Sequence, residues 1–558
     1  MTKALRGAAA LAALLAGSAA QAQEARFDWF DYRGSDPVSA GVTVGPDDYF
    51  NPVLSGFYPD PSITRAGDDY YLVNSTFAWF PGIPVFHSRD LVHWRQIGNA
   101  IDRPDQLDFK RLGLSRGVFA PAIEYHAGRF YILNTCVDCG GNFVMTATNP
   151  AGPWSDPVWL PDLAGAIDPS LFVDDDGSAW IVNNGPPPGA PEYEGHRAIW
   201  IQRFDLATMK TFGPRSVLVN GGVDFSKKPI WIEGPHILKK DGWYYLLCAE
   251  GGTAEGHSQV VLRSRRPDGP YVAGPNNPIL TQRDLPRDRP HPITSAGHAD
   301  LVRTQNGEWW ATFLAVRPYR GDYYNSGRET FLLPVEWRDG WPVITRPGEA
   351  IAIVRRRPDL PRDAAPPTSG PFHAREEFDG PALPLNWMML RNPRSRWYRF
   401  EDGALILDAR GEGLGDHANP SFLARRQQHQ DATVETVVRF TPDSDGDRAG
   451  IVALQSDDYW AFLGIQRQGG RSYVALVRRA GPQEPATGVT VKRVRAAPGA
   501  PLYLRIEARG GEYRFSYALR PDGWHMLGTI DGTLFSTKRA GGFVGAVFGI
   551  LAQDGGGR

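Results

Sequence analysis

At 558 residues the chain exceeds one ordinary domain, and about two to four are expected. A formal net charge of −2, with no basic tail or stripe, excludes nucleic acid and an anionic membrane surface as partners. Aromatic residues at 11%, with 17 Trp, 62 Gly and 47 Pro, point away from a helical protein and toward many short strands, many turns and rings able to stack on sugars.

The first 22 residues read as a secretory leader. Lys3 and Arg6 form a small basic start, "GAAALAALLAGSAA" is a short apolar core, and "AQA" ending at Ala22 satisfies the small-residue cleavage rule. The mature chain is expected to begin at Gln23, exported to the periplasm or outside the cell. No later stretch approaches the roughly 18 apolar residues of a membrane span.

Beyond residue 46 the chain repeats itself. The segments "DPSITRAGDDYYLV", "APAIEYHAGRFYIL", "DPSLFVDDDGSAWIV", "EGPHILKKDGWYYLL" and "GHADLVRTQNGEWWATF" follow one template: a small or polar opening, an apolar strand, a turn with Gly, and an aromatic-rich second strand. The opening residues are Asp60, Ala120, Asp168, Glu233 and His298, spaced 60, 48, 65 and 65 apart. Further strands such as "VFHSRDLVHWRQIG" and "VVLRSRRPDGPYVAGPN" bring each unit to four. Four short antiparallel strands repeated radially predict a five-bladed β-propeller over residues 46–352. The first strand of each blade lines the axis, so Asp60, Asp168, Glu233 and His298 should converge at one end of the channel.

Each acid has an ordinary reading as well. Asp60 and Asp168 precede proline, where Asp commonly forms turns. Glu233 in "WIEGPHI" is harder to set aside, because an unpaired acid among apolar residues costs a few kcal/mol (on the order of 2–7) unless something uses it. Cys136 and Cys139 in "CVDCGGN" form either a local disulfide or two free thiols; without a second pair they are a weak zinc signal.

With these motifs the chain resembles glycoside hydrolase family 43, the β-xylosidases and α-L-arabinofuranosidases. The resemblance rests on "NPVLSGFYPDPSITRAGDDYYLVNSTFAWFPGIPVFHSRDLVHW", "DPSLF", "IEGPHI", "GHADLV" and "GRETFLLPVEW", in that order. It implies an inverting, exo-acting hydrolase releasing a terminal pentose, β-D-xylose or α-L-arabinofuranose, from xylan or arabinoxylan fragments. Asp60 would be the general base, Glu233 the general acid, and Asp168 the acid that orients the sugar and raises the pKa of Glu233. Arg328 would reach the sugar and the acids, although a surface pair with Glu329 is its alternative. Phe77, Trp79 and Phe119 would wall the terminal subsite. His298 would support the sugar near the axis, where some members hold a hydrated calcium or other cation; no cofactor is required. Inverting pairs stand about 6.5–9.5 Å apart to admit a water. A third carboxylate near Glu233 would keep it protonated. Where many relatives read Trp-Ala-Pro followed by an acid, this chain has Phe119, Ala120, Pro121 and Ala122, which bears on substrate preference. A decayed, purely binding propeller would have lost one of the three acids.

Residues 353–371 are Pro-rich and charged and read as a linker. Residues 372–558 alternate with period two, predicting a β-sandwich that resembles the jelly-roll, concanavalin-like domain of family 43 xylosidases. Either it binds glycan or it only braces the propeller and rims the pocket. In relatives that sheet closes with an Asp-Phe-aromatic strand after an "AQD"-like turn, whereas here the chain stops at "GILAQDGGGR". "RFDWFDYRG", at residues 26–34 within the segment 23–45, is expected to cross over and supply that strand. Oligomeric state is not legible.

Overall fold

The computed structural model describes residues 23–556; the leader therefore lies outside the described residues. The described chain is almost entirely β, as a five-bladed propeller joined to a concanavalin-like β-sandwich. No helix is long and apolar enough to cross a membrane among the described residues.

The innermost blade strands are Ser62–Ala66, Ala122–His126, Ile167–Val173, Glu233–Lys240 and Thr294–Arg303, and each packs on the next to close a ring around the axis. Strands buried on both faces need apolar residues at successive positions. In Trp243–Glu250, Tyr245 and Leu247 join the core shared with blade V, while Leu246 and Cys248 join the core shared with blade III. The other blade interfaces are packed the same way. Blade V has three strands of its own, and its outer edge is bonded by the preceding chain: Leu54 bridges Thr330, with both N–H groups engaged. That latch closes the ring with residues from its start.

The two DPS tripeptides use serine to tie neighbouring blades together. Ser62 Oγ donates to Asp300 of blade V (2.8 Å) and accepts from Ile123 N–H of blade II (3.0 Å). Ser170 Oγ donates to Pro235 O of blade IV (2.5 Å).

Residues 353–371 run over the propeller surface. Val354–Arg356 pairs with Asp48–Phe50, and Thr368 bonds Ser55 and Val53. In the sandwich, Glu24–Ser35 lies inside the first sheet, between Ala404–Asp408 and Asp431–Arg439, and also pairs with Phe372–Glu376. It buries Phe27, Phe30 and Tyr32 in the core. The final strand, Val547–Gln553, contains the "GILAQ" residues and is central in the second sheet, between Ser421–Arg426 and Arg448–Ser456. The far edge of that sheet is Trp79–Phe80, a propeller segment paired with Met388–Leu390. Cys136 and Cys139 are joined as a disulfide, with Cys136 paired to Val118 beside Phe119.

Candidate active site

Asp60, Asp168 and His298 share one backbone device. Each has φ 53°, a left-handed conformation rare outside glycine; Asp168 and His298 sit at strand bulges, and Asp60 lies in the bend just before its strand, Ser62–Ala66. The residue matching them in blade IV is Gly234 (φ 55°), not Glu233. Glu233 occupies the register of Ile167 and Gly297, one residue earlier. The sequence alignment of openings is therefore off by one in this blade, and Glu233 approaches the pocket from a different backbone position than the aspartates. Gly234 cannot carry a side chain, because a Cβ there would stand 2.7 Å from Nε2 of His298.

Asp60, Asp168, Glu233, His298 and Arg328 line one cavity of about 210 Å³ together with Phe77 and Phe119. All five polar residues are buried. Asp60 Oδ2 accepts from Ser75 Oγ (2.5 Å), and Oδ1 accepts from Arg328 Nη1 (3.1 Å), with His298 Nδ1 3.9 Å away. Burial alone would raise this carboxyl, but Arg328, His298 and the Ser75 hydroxyl outweigh it and hold Asp60 below its ordinary value. Glu233 is the opposite case. Burial first, then the charges of Asp168 and Asp60, push it well above the usual carboxylate range against the lowering pull of Arg328 and Arg197. Asp168 is raised by burial and by Asp60, partly countered by His298. Its Oδ2 accepts the N–H of Gly234 (3.0 Å), which ties it to the backbone beside Glu233. The arrangement separates two buried acids into one held ionised and one held protonated.

Arg328 is not the surface partner of Glu329. Glu329 is buried and accepts from Arg317 (2.6 and 2.8 Å), leaving Arg328 to Asp60.

Phe77 and Phe119 stand 5.7 Å apart, edge to face, because Phe77 exchanges backbone hydrogen bonds with Val118. Trp79 does not wall the pocket. It is fully buried, paired with Leu390 of the sandwich and packed on Phe57. Phe77 sits at φ 54°, which breaks the alternation and sends the two rings to different places. The third ring of the wall is Phe543, from the sandwich, 5.8 Å from both phenylalanines and 5.3 Å from the Arg328 guanidinium. Its N–H is held by Ser115 Oγ (2.8 Å). Phe543 lies outside the repeat, so no periodicity could reveal it. Ile167, Ile230, Trp231, Gly252 and Thr253 complete the lining. Ala120 also borders the cavity.

A cation beside His298 would have to be held largely by water, as the hydrated ion of some family members is. Calcium takes about 6–8 oxygen ligands, and among the described residues no group of three or more His, Cys, Asp or Glu is arranged to hold a metal. His257, behind His298, donates Nδ1–H to Ser295 O (2.9 Å), and burial lowers its pKa to about 4, so it stands neutral.

Both domains are similar to known proteins. The signature of glycosyl hydrolases family 43 matches residues 49–342, and that of the beta xylosidase C-terminal concanavalin A-like domain matches residues 375–558. A xylosidase/arabinosidase of Butyrivibrio fibrisolvens is 39% identical over 511 residues, covering 91% of this chain and 96% of its own. A non-reducing end alpha-L-arabinofuranosidase of Bacteroides ovatus is 35% identical over 526 residues, covering 93% of each. The crystal structure of a subfamily 12 member of family 43 from capybara gut metagenome superposes with TM-score 0.88 at 38% identity, covering 95% of this chain and 100% of that one. On the family signature, these relatives and the shared two-domain architecture, the chain belongs to glycosyl hydrolase family 43.

Proposed function

We propose that the protein is an inverting, exo-acting glycoside hydrolase that releases terminal β-D-xylose from xylo-oligosaccharides or hemicellulose, and that it acts after export. The observation that carries this reading is the opposed displacement of two carboxyls in one small pocket, Asp60 down and Glu233 up. Water attacks the anomeric carbon and gives its proton to Asp60, while Glu233 delivers its proton to the departing glycosidic oxygen. Solvent then returns a proton to Glu233 and removes one from Asp60. Asp168 holds the backbone next to Glu233 and, adding to the effect of burial, its charge favours the protonated form of the acid. Arg328 keeps Asp60 ionised and presents the rest of its fork to sugar hydroxyls.

The cavity is smaller than the roughly 300–1,000 Å³ of ordinary ligand pockets. It suits one sugar ring and so supports action at a chain end. The Bacteroides ovatus relative favours α-L-arabinofuranosidase as a second reading. Aryl β-D-xyloside and aryl α-L-arabinofuranoside assayed side by side separate the two. In both assays Glu233→Ala is expected to lose about 10²–10⁴-fold in kcat; undiminished activity would refute the assigned acid.

A further inference from the structure

The reading above accounts for the closed end of the pocket and leaves its mouth unassigned. There, Ile230 and Trp231 are 49% and 43% exposed although they lie within three residues of Glu233 and line the same cavity. Large apolar side chains exposed beside a buried acid need a reason. Trp231 is also held at φ 54°, a conformation that costs a side-chain-bearing residue about 1–2 kcal/mol.

That backbone is clamped from both sides. Gly251 and Gly252 donate to Ile230 O (2.8 and 3.2 Å), Trp231 donates to Gly195 O (2.9 Å), and Asn184 Nδ2 donates to Ile232 O (2.6 Å). Gly195 is what lets the indole lie close: a Cβ there would stand 2.9 Å from Trp231 Cδ1 and 2.8 Å from Ile230 Cγ2. Arg197 backs the ring with its guanidinium 6.0 Å from the centroid, itself fixed to Asn184 Oδ1 (2.7 Å) and Gly165 O (3.1 Å). A strained, clamped and exposed indole is a preorganised surface rather than a loose one.

Its occupant follows from the position of Glu233. The general acid touches the oxygen between the cleaved sugar and its leaving group. With the cleaved sugar enclosed by Phe77, Phe119 and Phe543, the leaving group lies on the open side, over Trp231. We infer that Trp231, flanked by Ile230, is the stacking platform for the first leaving-group residue and makes the enzyme select a pyranose ring, or an aromatic aglycone, on that side of the bond. This rests on the glycosidase reading above.

The test compares two substrates that share the cleaved sugar and differ in what leaves: xylobiose against β-D-xylopyranosyl fluoride, or, for an arabinofuranose-specific enzyme, α-L-arabinofuranosyl-xylobiose against α-L-arabinofuranosyl fluoride. Fluoride offers no ring to stack. In Trp231→Ala the ratio of kcat/KM, oligosaccharide over fluoride, is expected to fall about tenfold, and in Trp231→Phe, which keeps a flat apolar face, by about threefold or less. An unchanged ratio, including equal losses on both substrates, would overturn the platform and leave Trp231 a mere support for Glu233. A wild-type protein inactive on all four substrates would overturn the glycosidase reading and this inference with it.

Discussion

Replacing Arg328 by Met removes a buried charge while keeping the length of the side chain, and should move the whole pH–rate profile in one direction. Arg328 Nη1 stands 3.1 Å from Asp60 Oδ1 and is the largest influence lowering that carboxyl against burial. Two unit charges at about 4 Å in an effective dielectric of about 20 interact by about 4 kcal/mol, or about three pH units at the limit. His298 and Ser75 remain in place, and water relaxes into the site, so about one to two units survive. Asp60 acts ionised. Raising its pKa therefore moves the acid limb of kcat/KM to higher pH by about one to two units. Arg328 also lowers Glu233, which acts protonated, so its loss raises Glu233 and carries the alkaline limb upward too. The assay is kcat/KM on an aryl pentoside from pH 3 to 10. An acid limb that stays in place or moves down would refute the electrostatic coupling, whatever happens to the rate.

Two further outcomes are expected. Phe543→Ala should cut kcat/KM by about tenfold or more through loss of an apolar wall of the sugar pocket, while thermal unfolding stays within about 2 °C of wild type because the ring is not deeply buried. Deleting residues 23–40 should destabilise the sandwich severely: Phe27, Phe30 and Tyr32 are fully buried, and each is worth about 1.5–3 kcal/mol. A truncated chain with an unchanged unfolding profile would refute the structural role of that strand.

Much of the propeller is legible because a repeat exposes itself by spacing and by aromatic second strands. The DPS aspartates are legible for the same reason: they occupy one backbone position, φ 53°, in two blades. The one-residue displacement of Glu233 is not, since a bulge changes strand register without leaving a gap in the pattern. Trp79 misleads because two rings two residues apart read as one face of a strand, whereas the left-handed Phe77 between pocket and core divides them. Phe543 and Trp231 are silent for a different reason. Both work from loops, and their place is set by hydrogen bonds to distant partners, Ser115 and Gly195, that no local rule anticipates. Arg328 and Glu329, adjacent and opposite in charge, looked like a pair; the buried Arg317 takes the glutamate and frees the arginine.

The strand Glu24–Ser35 makes the sandwich a discontinuous body with the propeller inserted in it. Phe30 pairs with Thr436, so the strand made first must wait for about four hundred residues of later chain before its sheet can form. Contacts of such separation are slow to close. Until then a strand bearing Phe27, Phe30 and Tyr32 has both edges bare, which is an invitation to pair with another molecule. The propeller has its own latch at Leu54 and Thr330 and can complete itself earlier, bringing residue 35 near the emerging sandwich and shortening the search. This topology favours an assembly order of propeller first and sandwich second, although the sandwich owns the earlier strand. Dissection should respect that order: the linker at residues 353–371 is a seam in the sequence but not a place to cut, because a sandwich expressed from residue 372 onward lacks a strand from its middle.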